Sequence, residues 1–182
     1  MVSKNKRLLQ RVRVPLGFIL SIVFLVFADP RPVSLLVGGS IAVGGLLIRA
    51  WASGHIRKNQ TVTISGPYAR TRNPLYLGSL ILGIGFCIAS GVWWLALGFA
   101  ALFLGVYQPV MRVEAEDLTR QFGAEYQEYA RNVPLFFPSL RVWKKTDAKF
   151  DFGLYLRYRE YQAALGLLFA IAVLTFKAFF LR

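Results

Sequence analysis

The stretch GPYARTRNPLYLG, residues 66–78, places arginine, asparagine and tyrosine side chains between two long apolar runs. Such residues are costly near lipid, so their presence where a membrane span should begin indicates that something is bound there. Pro74 suits the first turn of a helix, and Asn73 before it is the expected N-cap. The free amides at that helix N-terminus attract carboxylates or phosphates. The alternative is an ordinary capped helix start with interfacial anchors.

A second candidate lies in residues 111–138, MRVEAEDLTRQFGAEYQEYARNVPLFFP. Apolar residues recur there at helical spacing, which predicts an amphipathic helix. They are Leu118, Phe122, Tyr126, Tyr129 and Val133. Glu114 precedes this stripe by one further step, and a carboxylate on an apolar face requires a partner. We therefore predict a functional role for Glu114, whereas Glu116 can equally form surface ion pairs with neighbouring arginines.

Two further polar residues stand at the edge of the second apolar run. Arg49 either extends toward the membrane surface or binds an anionic group of a substrate. His55 is the only histidine and Cys87 the only cysteine, so neither a disulfide nor a histidine–cysteine metal site is predicted.

Composition indicates a membrane protein. Of 182 residues, 55% are hydrophobic, above the roughly 45–50% of soluble domains. The formal net charge is +13. Its basic residues flank apolar runs, which indicates anionic membrane lipids as partners rather than nucleic acid.

The hydrophobic segments predict an all-α integral membrane protein with about five transmembrane helices and a cytoplasmic amphipathic helix after the fourth. We expect one membrane domain over residues 1–182, whose first segment is a retained span rather than a cleaved leader. The predicted spans are about 8–28, 33–53, 75–89, 92–111 and 161–181.

The distribution of Lys and Arg predicts the orientation. Basic residues are concentrated in the N-terminus and in segments 54–74 and 112–160. Cytoplasmic connections carry such an excess, so we predict a multi-pass protein with its N-terminus and both site segments in the cytoplasm. The basic segment 141–159 fits either a headgroup-binding surface or a lid over the site.

Residues 49–138 resemble the isoprenylcysteine carboxyl methyltransferase and phospholipid methyltransferase family of integral membrane enzymes. The resemblance rests on GPYARTRNPLYLG, an apolar hairpin, and then the glutamate-containing segment ending in FGAEYQEYARNVPLFFP. The family motif reads Arg-His-Pro-x-Tyr-x-Gly. Asn73 stands in place of its histidine, as in phosphatidylethanolamine methyltransferases. Ala115 replaces the second of two adjacent family glutamates.

This resemblance implies S-adenosyl-L-methionine as cofactor, bound on the cytoplasmic side, and methyl transfer to a lipid-like acceptor entering from the bilayer. The implied cofactor-binding residues are Gly66, Pro67, Tyr68, Arg72, Asn73, Pro74, Tyr76, Gly78 and Glu114. Their chemistry agrees with that role. The methionyl carboxylate suits Arg72 and the helix N-terminus, and the sulfonium suits an aromatic face or a carboxylate.

Catalysis of this kind is mainly positioning of the reactants and exclusion of water. We expect Glu114, Arg72 and Arg49 to be the catalytic residues. A carboxylate acceptor, as in prenylcysteine, needs a cation to hold it. A phospholipid amine must first lose a proton to a nearby base. The candidate substrate-side residues are Glu116, Tyr126, Tyr129, Arg131 and His55.

Two other functions stay open at this point. Membrane sterol reductases share a related motif and bind NADPH, but they usually place an acid after the motif glycine, where this chain has Ser79. A non-catalytic membrane scaffold would explain the departures at Asn73 and Ala115. Failure to bind any nucleotide-like cofactor would favour the scaffold.

Overall fold

The structure is a computed structural model that describes the backbone of residues 4–181 and the side chains of residues 15–181. Within that range the regular secondary structure is helical throughout, as predicted. The α-helices are α1 (Lys4–Phe27), α2 (Pro32–Ser53), α3 (Pro74–Ser90), α4 (Trp93–Phe122), α5 (Ala124–Asn132), α6 (Phe152–Arg157) and α7 (Tyr161–Phe180). A short 3-10 helix, Gly66–Ala69, precedes α3.

Helices α1, α2, α3, α4 and α7 overlap the five predicted apolar segments, but α4 continues past the predicted end of the fourth segment, residue 111, to Phe122. Among the described residues, α2, α4 and α7 are long and apolar enough to cross a membrane, while Pro15–Phe27 and α3 are shorter apolar helices. The count of five spans therefore stays a prediction. The basic N-terminal residues used to predict the orientation, as far as Arg13, lie outside the described side chains.

Helices α2 and α3 form the most extensive helix contact in the described chain. Gly45 on α2 lies so close to α3 that an added Cβ would stand 2.4 Å from the amide nitrogen of Leu82. One at Gly85 on α3 would stand 2.4 Å from the nitrogen of Ala42. Small residues permit this approach of two backbones, a frequent device between membrane helices. The contact brings Arg49, one turn beyond Gly45, against the start of α3.

The two short connections lie together at the end of the helices opposite the motif segments. The amide of Asp29 donates a hydrogen bond of 2.8 Å to the carbonyl of Ser90. Gly91 adopts the left-handed conformation with φ of 68°, which forms the hairpin predicted between α3 and α4. At the same end, the Lys177 ammonium on α7 donates to the carbonyls of Leu25 and Val26. These contacts fix α1, α3 and α7 relative to one another.

The predicted amphipathic helix is interrupted. Gly123, with φ of 55°, separates α4 from α5, a conformation that a residue with a side chain adopts rarely. The apolar residues nevertheless form one cluster, because the chain changes direction at Gly123 and continues at once as α5. Tyr126, Tyr129 and Val133 are its buried members, and Leu118 packs against them.

Candidate functional site

Three consecutive residues before α3 bind three consecutive carbonyls beyond α5. The Thr71 hydroxyl donates to the carbonyl of Phe136 at 2.7 Å, the backbone amide of Arg72 to that of Pro134 at 3.0 Å, and the Asn73 side chain to that of Leu135 at 2.9 Å. The two motifs, far apart in sequence, therefore form one structural unit.

This contact corrects one prediction. Asn73 occupies the N-cap position of α3, but its side chain makes no capping hydrogen bond there. Its amide instead donates to Leu135. The physical reason is that the Leu135 carbonyl needs a hydrogen-bond donor, and the Asn73 side-chain amide supplies it. The helix N-terminus is thereby left without its own side-chain cap.

A polar cavity of about 560 Å³ lies between the segment before α3 and helices α2, α4 and α5. It brings together most of the predicted site residues. Those that line it are Arg49, Tyr68, Arg72, Asn73, Pro74, Tyr76, Glu114, Tyr126 and Tyr129. Most of residues 56–63 also line it, and the sequence analysis did not assign a role to them.

The remaining predicted residues lie elsewhere. Gly66 and Pro67 do not line the polar cavity; an added Cβ on Gly66, which has φ of 57°, would stand 2.6 Å from the His55 ring. His55 is buried, and its Nδ1 lies 3.2 Å from the Ser65 hydroxyl. Burial lowers the pKa of His55 below its ordinary value. Gly78 instead provides the close approach of α3 to α2.

Glu116 and Arg131 face a separate, open depression on the outer side of α4 and α5. Glu116 also lies 3.8 Å from Arg120, one of the surface ion pairs anticipated for it. Arg72 and Tyr126 reach both this depression and the polar cavity. The structure thus places Glu116 and Arg131 apart from Glu114.

Glu114 has the partner that its position on an apolar helix face requires. The Tyr76 hydroxyl donates a hydrogen bond of 2.9 Å to a carboxylate oxygen of Glu114, joining α3 to α4. A hydrogen bond to a charged acceptor is worth about 1.5–3 kcal/mol. The Tyr76 ring also packs edge-on against the Tyr107 ring, with centroids 5.8 Å apart. This pair forms one wall of the polar cavity.

Arg49 has an acidic partner that the sequence analysis missed. Glu160, beside the first residue of α7, binds the guanidinium through both carboxylate oxygens, at 2.8 Å for the shortest contact. The two side chains are 23% and 12% exposed, so this is a largely buried ion pair. A single acid immediately before a long apolar segment is the signal that could have identified Glu160.

Two buried side-chain atoms have no hydrogen-bond partner within the described structure, and both belong to residues that line the polar cavity. They are the Tyr68 hydroxyl and Nε of Arg72. Burial raises the pKa of Tyr68 well above its ordinary value, and neighbouring Tyr129 and Glu160 add to that effect. Buried polar groups are normally satisfied, so unpartnered ones beside a cavity indicate a polar ligand. The donor set suits a ligand that carries both a carboxylate and hydroxyl or amino groups.

A second cavity of about 560 Å³ lies among α1, α3, α4 and α7, and apolar side chains form most of its wall. Arg49, Ser79 and Tyr107 line both cavities and therefore mark their junction. Tyr107 closes a π-helical turn of α4, Phe103–Tyr107, and its ring stacks on that of Phe103 at 5.6 Å. Such turns widen a helix locally and occur often at functional sites.

Segment 141–159 packs against the turn that follows α2. The amide of Asp151 donates to the carbonyl of Gly54 at 2.9 Å, and the Phe150 ring lies beside His55. The Tyr158 hydroxyl accepts a hydrogen bond of 3.2 Å from the Lys58 amide. The segment therefore contacts the chain at Lys58, which lines the polar cavity, and it ends directly before Glu160.

A model of the phospholipid methyltransferase family matches residues 35–125, half of the chain. The chain belongs to this family. The match includes Arg49, the segment before α3 and Glu114, whereas Glu160 lies outside it. Family membership and the apolar helices together make this a membrane protein of a methyltransferase family.

Three relatives extend the comparison. The chain is 39% identical over 113 residues to the cobalt-zinc-cadmium resistance protein CzcN of Cupriavidus metallidurans, covering 60% of this chain and 50% of that protein. It is 34% identical over 102 residues to the nickel-cobalt-cadmium resistance protein NccN of Alcaligenes xylosoxydans xylosoxydans, covering 56% and 46%. It is 34% identical over 80 residues to methanethiol S-methyltransferase 2 of Bradyrhizobium diazoefficiens, covering 44% and 30%.

The chain thus spans about half the length, or less, of the curated relatives it matches. No solved structure matches it with statistical significance.

Proposed function

We propose that this protein transfers a methyl group from S-adenosyl-L-methionine to a membrane-embedded lipid or lipidated acceptor at the cytoplasmic face of the membrane. The observation that carries the proposal is the junction of two cavities. A polar cavity with unpartnered buried donors meets an apolar cavity among the membrane helices at Arg49, Ser79 and Tyr107. An enzyme that joins a water-soluble cofactor to a lipid-soluble acceptor needs two such compartments.

The residues of the polar cavity fit this cofactor. Arg72, whose Nε lacks a partner, and the uncapped N-terminus of α3 would bind its carboxylate. Glu114, oriented by Tyr76, would accept hydrogen bonds from its ribose or amino group. When bound, S-adenosyl-L-methionine supplies a methyl group on a cationic sulfur that leaves readily.

The chain itself contributes position and exclusion of water. Tyr76 and Tyr107 form an aromatic wall near the junction, and aromatic faces favour a neighbouring cation. Segment 141–159 contacts the 54–58 turn through Asp151 and Tyr158. Holding two reactants in line can account for about 7–11 kcal/mol of a barrier, so a strong base is not essential to the proposal.

The cytoplasmic location rests on the concentration of basic residues in segments 54–74 and 112–160, which form the polar cavity. Anionic lipids are the proposed surroundings of that face. The two resistance-protein relatives do not carry a reaction in their names, whereas the third is named for methyl transfer to a thiol.

The test is transfer of radiolabelled methyl from S-adenosyl-L-methionine by the purified protein in lipid bilayers supplied with phosphatidylethanolamine or a prenylcysteine. We expect label in the organic phase. Release of the label as methanol by mild base identifies a carboxyl ester, and retention identifies an N-methylated lipid. If the protein neither transferred the methyl group nor bound the cofactor, the proposal would be refuted.

Binding of S-adenosylhomocysteine, measured by calorimetry, tests the site separately. Arg72→Ala should abolish binding because it removes the guanidinium, with its buried Nε, from the polar cavity. Arg120→Ala is the matched control, since Arg120 lies on the surface in ion pairs with Glu116 and Asp117. Equal binding by both variants would contradict the assignment. Glu114 also lines the polar cavity, so Glu114→Gln provides a second variant if Arg72→Ala fails to fold.

A further inference from the structure

The open depression on the outer side of α4 and α5 carries an excess of positive charge. Three arginines line it against one acidic residue, so the formal charge of its described lining is +2. The arginines are Arg72, Arg112 and Arg131, and the acid is Glu116. The depression is distinct from the polar cavity, because Arg112 and Arg131 do not line that cavity.

The described part of the chain provides these arginines with no carboxylate partner. Its ion pairs join other residues, and none includes any of the three arginines. The Glu116 carboxylate lies 3.8 Å from Arg120, which does not line the depression. Arg112 and Arg131 are exposed, and Nε of Arg72 is buried without a hydrogen-bond partner. Arginines that line one concavity repel each other, and a bound anion relieves that repulsion.

The depression lies at the level expected for phospholipid head groups. Arg112 is the first residue beyond the predicted fourth span, 92–111, and it stands on α4. Arg72 lies two residues before the start of α3. Both helices therefore leave the apolar part of the membrane near this depression in the predicted arrangement. Basic pockets at that depth between membrane helices bind anionic head groups.

The chemistry of arginine narrows the class of anion. A planar guanidinium can donate two parallel hydrogen bonds to one phosphate or carboxylate group. A phosphate monoester carries a charge of about −1.5 to −2 at neutral pH and three acceptor oxygens. That charge matches the formal +2 of the lining, whereas a single carboxylate would leave an excess of positive charge.

We infer that this depression is a phosphate-binding site at the membrane surface, in which Arg72, Arg112 and Arg131 hold the phosphate group. The recognised group is the phosphate itself, and the two sources that carry it are a phospholipid head group and free inorganic phosphate. The site is separate from methyl transfer and does not rest on the proposed function. Because Arg72 also lines the polar cavity, the test uses Arg112 and Arg131.

Native mass spectrometry of the full chain released from detergent micelles tests the lipid source. It compares phosphatidic acid, a phosphate monoester, with the diacylglycerol that has the same chains and no phosphate. We expect Arg112→Gln and Arg131→Gln each to weaken phosphatidic acid binding by about tenfold, since each removes a charged donor, and to leave diacylglycerol binding as it was. Arg31→Gln is the matched control, because Arg31 is an exposed arginine at the opposite end of the helices.

Calorimetric titration of the protein in nonionic detergent with inorganic phosphate tests the free source. Phosphatidic acid binding that depends on the two arginines identifies the lipid as the ligand. Inorganic phosphate binding that depends on them, with no preference for phosphatidic acid over diacylglycerol, identifies free phosphate, and either result supports the inference. If neither probe bound more weakly to Arg112→Gln and Arg131→Gln, or if Arg31→Gln lost as much affinity, the inference would be overturned.

Glu116→Gln provides a test in the opposite direction, which also serves if the arginine variants fail to fold. It removes the acidic group of the described lining, so the phosphate probe should bind about threefold to tenfold more tightly. Asp117→Asn is the matched control, because Asp117 pairs with the same Arg120 but does not line the depression. Unchanged or weaker binding in Glu116→Gln, or an equal gain in Asp117→Asn, would overturn the inference.

Discussion

The contact between α2 and α3 determines where Arg49 lies, and adjacent glycines allow that contact to be tested. Gly44 has no atom within 4 Å of an added Cβ, whereas a Cβ at Gly45 would stand 2.4 Å from the Leu82 nitrogen and 2.6 Å from the Gly78 carbonyl oxygen. Ordinary Cβ contacts begin near 3.4 Å, so Gly45→Ala requires the helices to separate by about 1 Å.

The magnitude follows from a comparison of the two alanine variants. Each gains the helix propensity of alanine over glycine, about 0.8–1 kcal/mol, and this contribution cancels in the difference. Only Gly45→Ala carries the overpacking cost, typically about 1–3 kcal/mol. We therefore expect Gly45→Ala to be less stable than Gly44→Ala by about 1–3 kcal/mol.

The measurement is reversible unfolding in mixed detergent micelles, followed by tryptophan fluorescence. Binding of S-adenosylhomocysteine provides a second readout, because separation of α2 from α3 would also move Arg49 away from Ser79. Equal stability of the two alanine variants would refute the close contact and, with it, the placement of Arg49.

Three further predictions concern single side chains. Asn73→Ala should lower the free energy of unfolding by about 1–3 kcal/mol, because the Leu135 carbonyl loses its donor. Asn73→His retains an N–H and should cost less stability. An equal loss of stability in the two variants would contradict the role of Asn73 as that donor. Tyr76→Phe should weaken S-adenosylhomocysteine binding by about tenfold, because Glu114 loses the hydrogen bond that orients it. An unchanged affinity in calorimetry would count against Glu114 as a cofactor ligand. Burial lowers the pKa of His55, so the unfolded state binds its proton first and stability should fall as the pH drops through about 6.5. Thermal unfolding of His55→Gln should lack that contribution, and an identical pH profile for both proteins would contradict it.

The sequence was sufficient for the helical class and the family, because each rests on a local pattern. Apolar run length predicts a membrane helix without reference to its neighbours, and the pairing of an Asn-Pro-x-Tyr-x-Gly segment with a later glutamate identifies the family. The predicted grouping of Arg72, Tyr76 and Glu114 agrees with the walls of the polar cavity. Their roles toward a cofactor stay predictions.

The side-chain partners were less accessible to sequence reasoning. Asn73 fits the statistical preferences of an N-cap, yet its amide binds a carbonyl 62 positions away. The stripe ending at Val133 has helical spacing throughout, yet Gly123 divides it. In both cases a contact distant in sequence, or one backbone angle, overrides a local propensity.

Glu160 illustrates why the junction required a structure. Arg49 and Glu160 are 111 positions apart, and each alone is explained by extension toward the membrane surface. Their pairing requires that the start of α7 lie against the last turns of α2. Breaking one partner of a buried pair typically costs about 3–5 kcal/mol, an upper bound for these partly exposed groups. Stability alone does not require such a pair, because apolar residues of similar volume serve as well, so its place in the wall of the polar cavity is the feature that a functional account must explain.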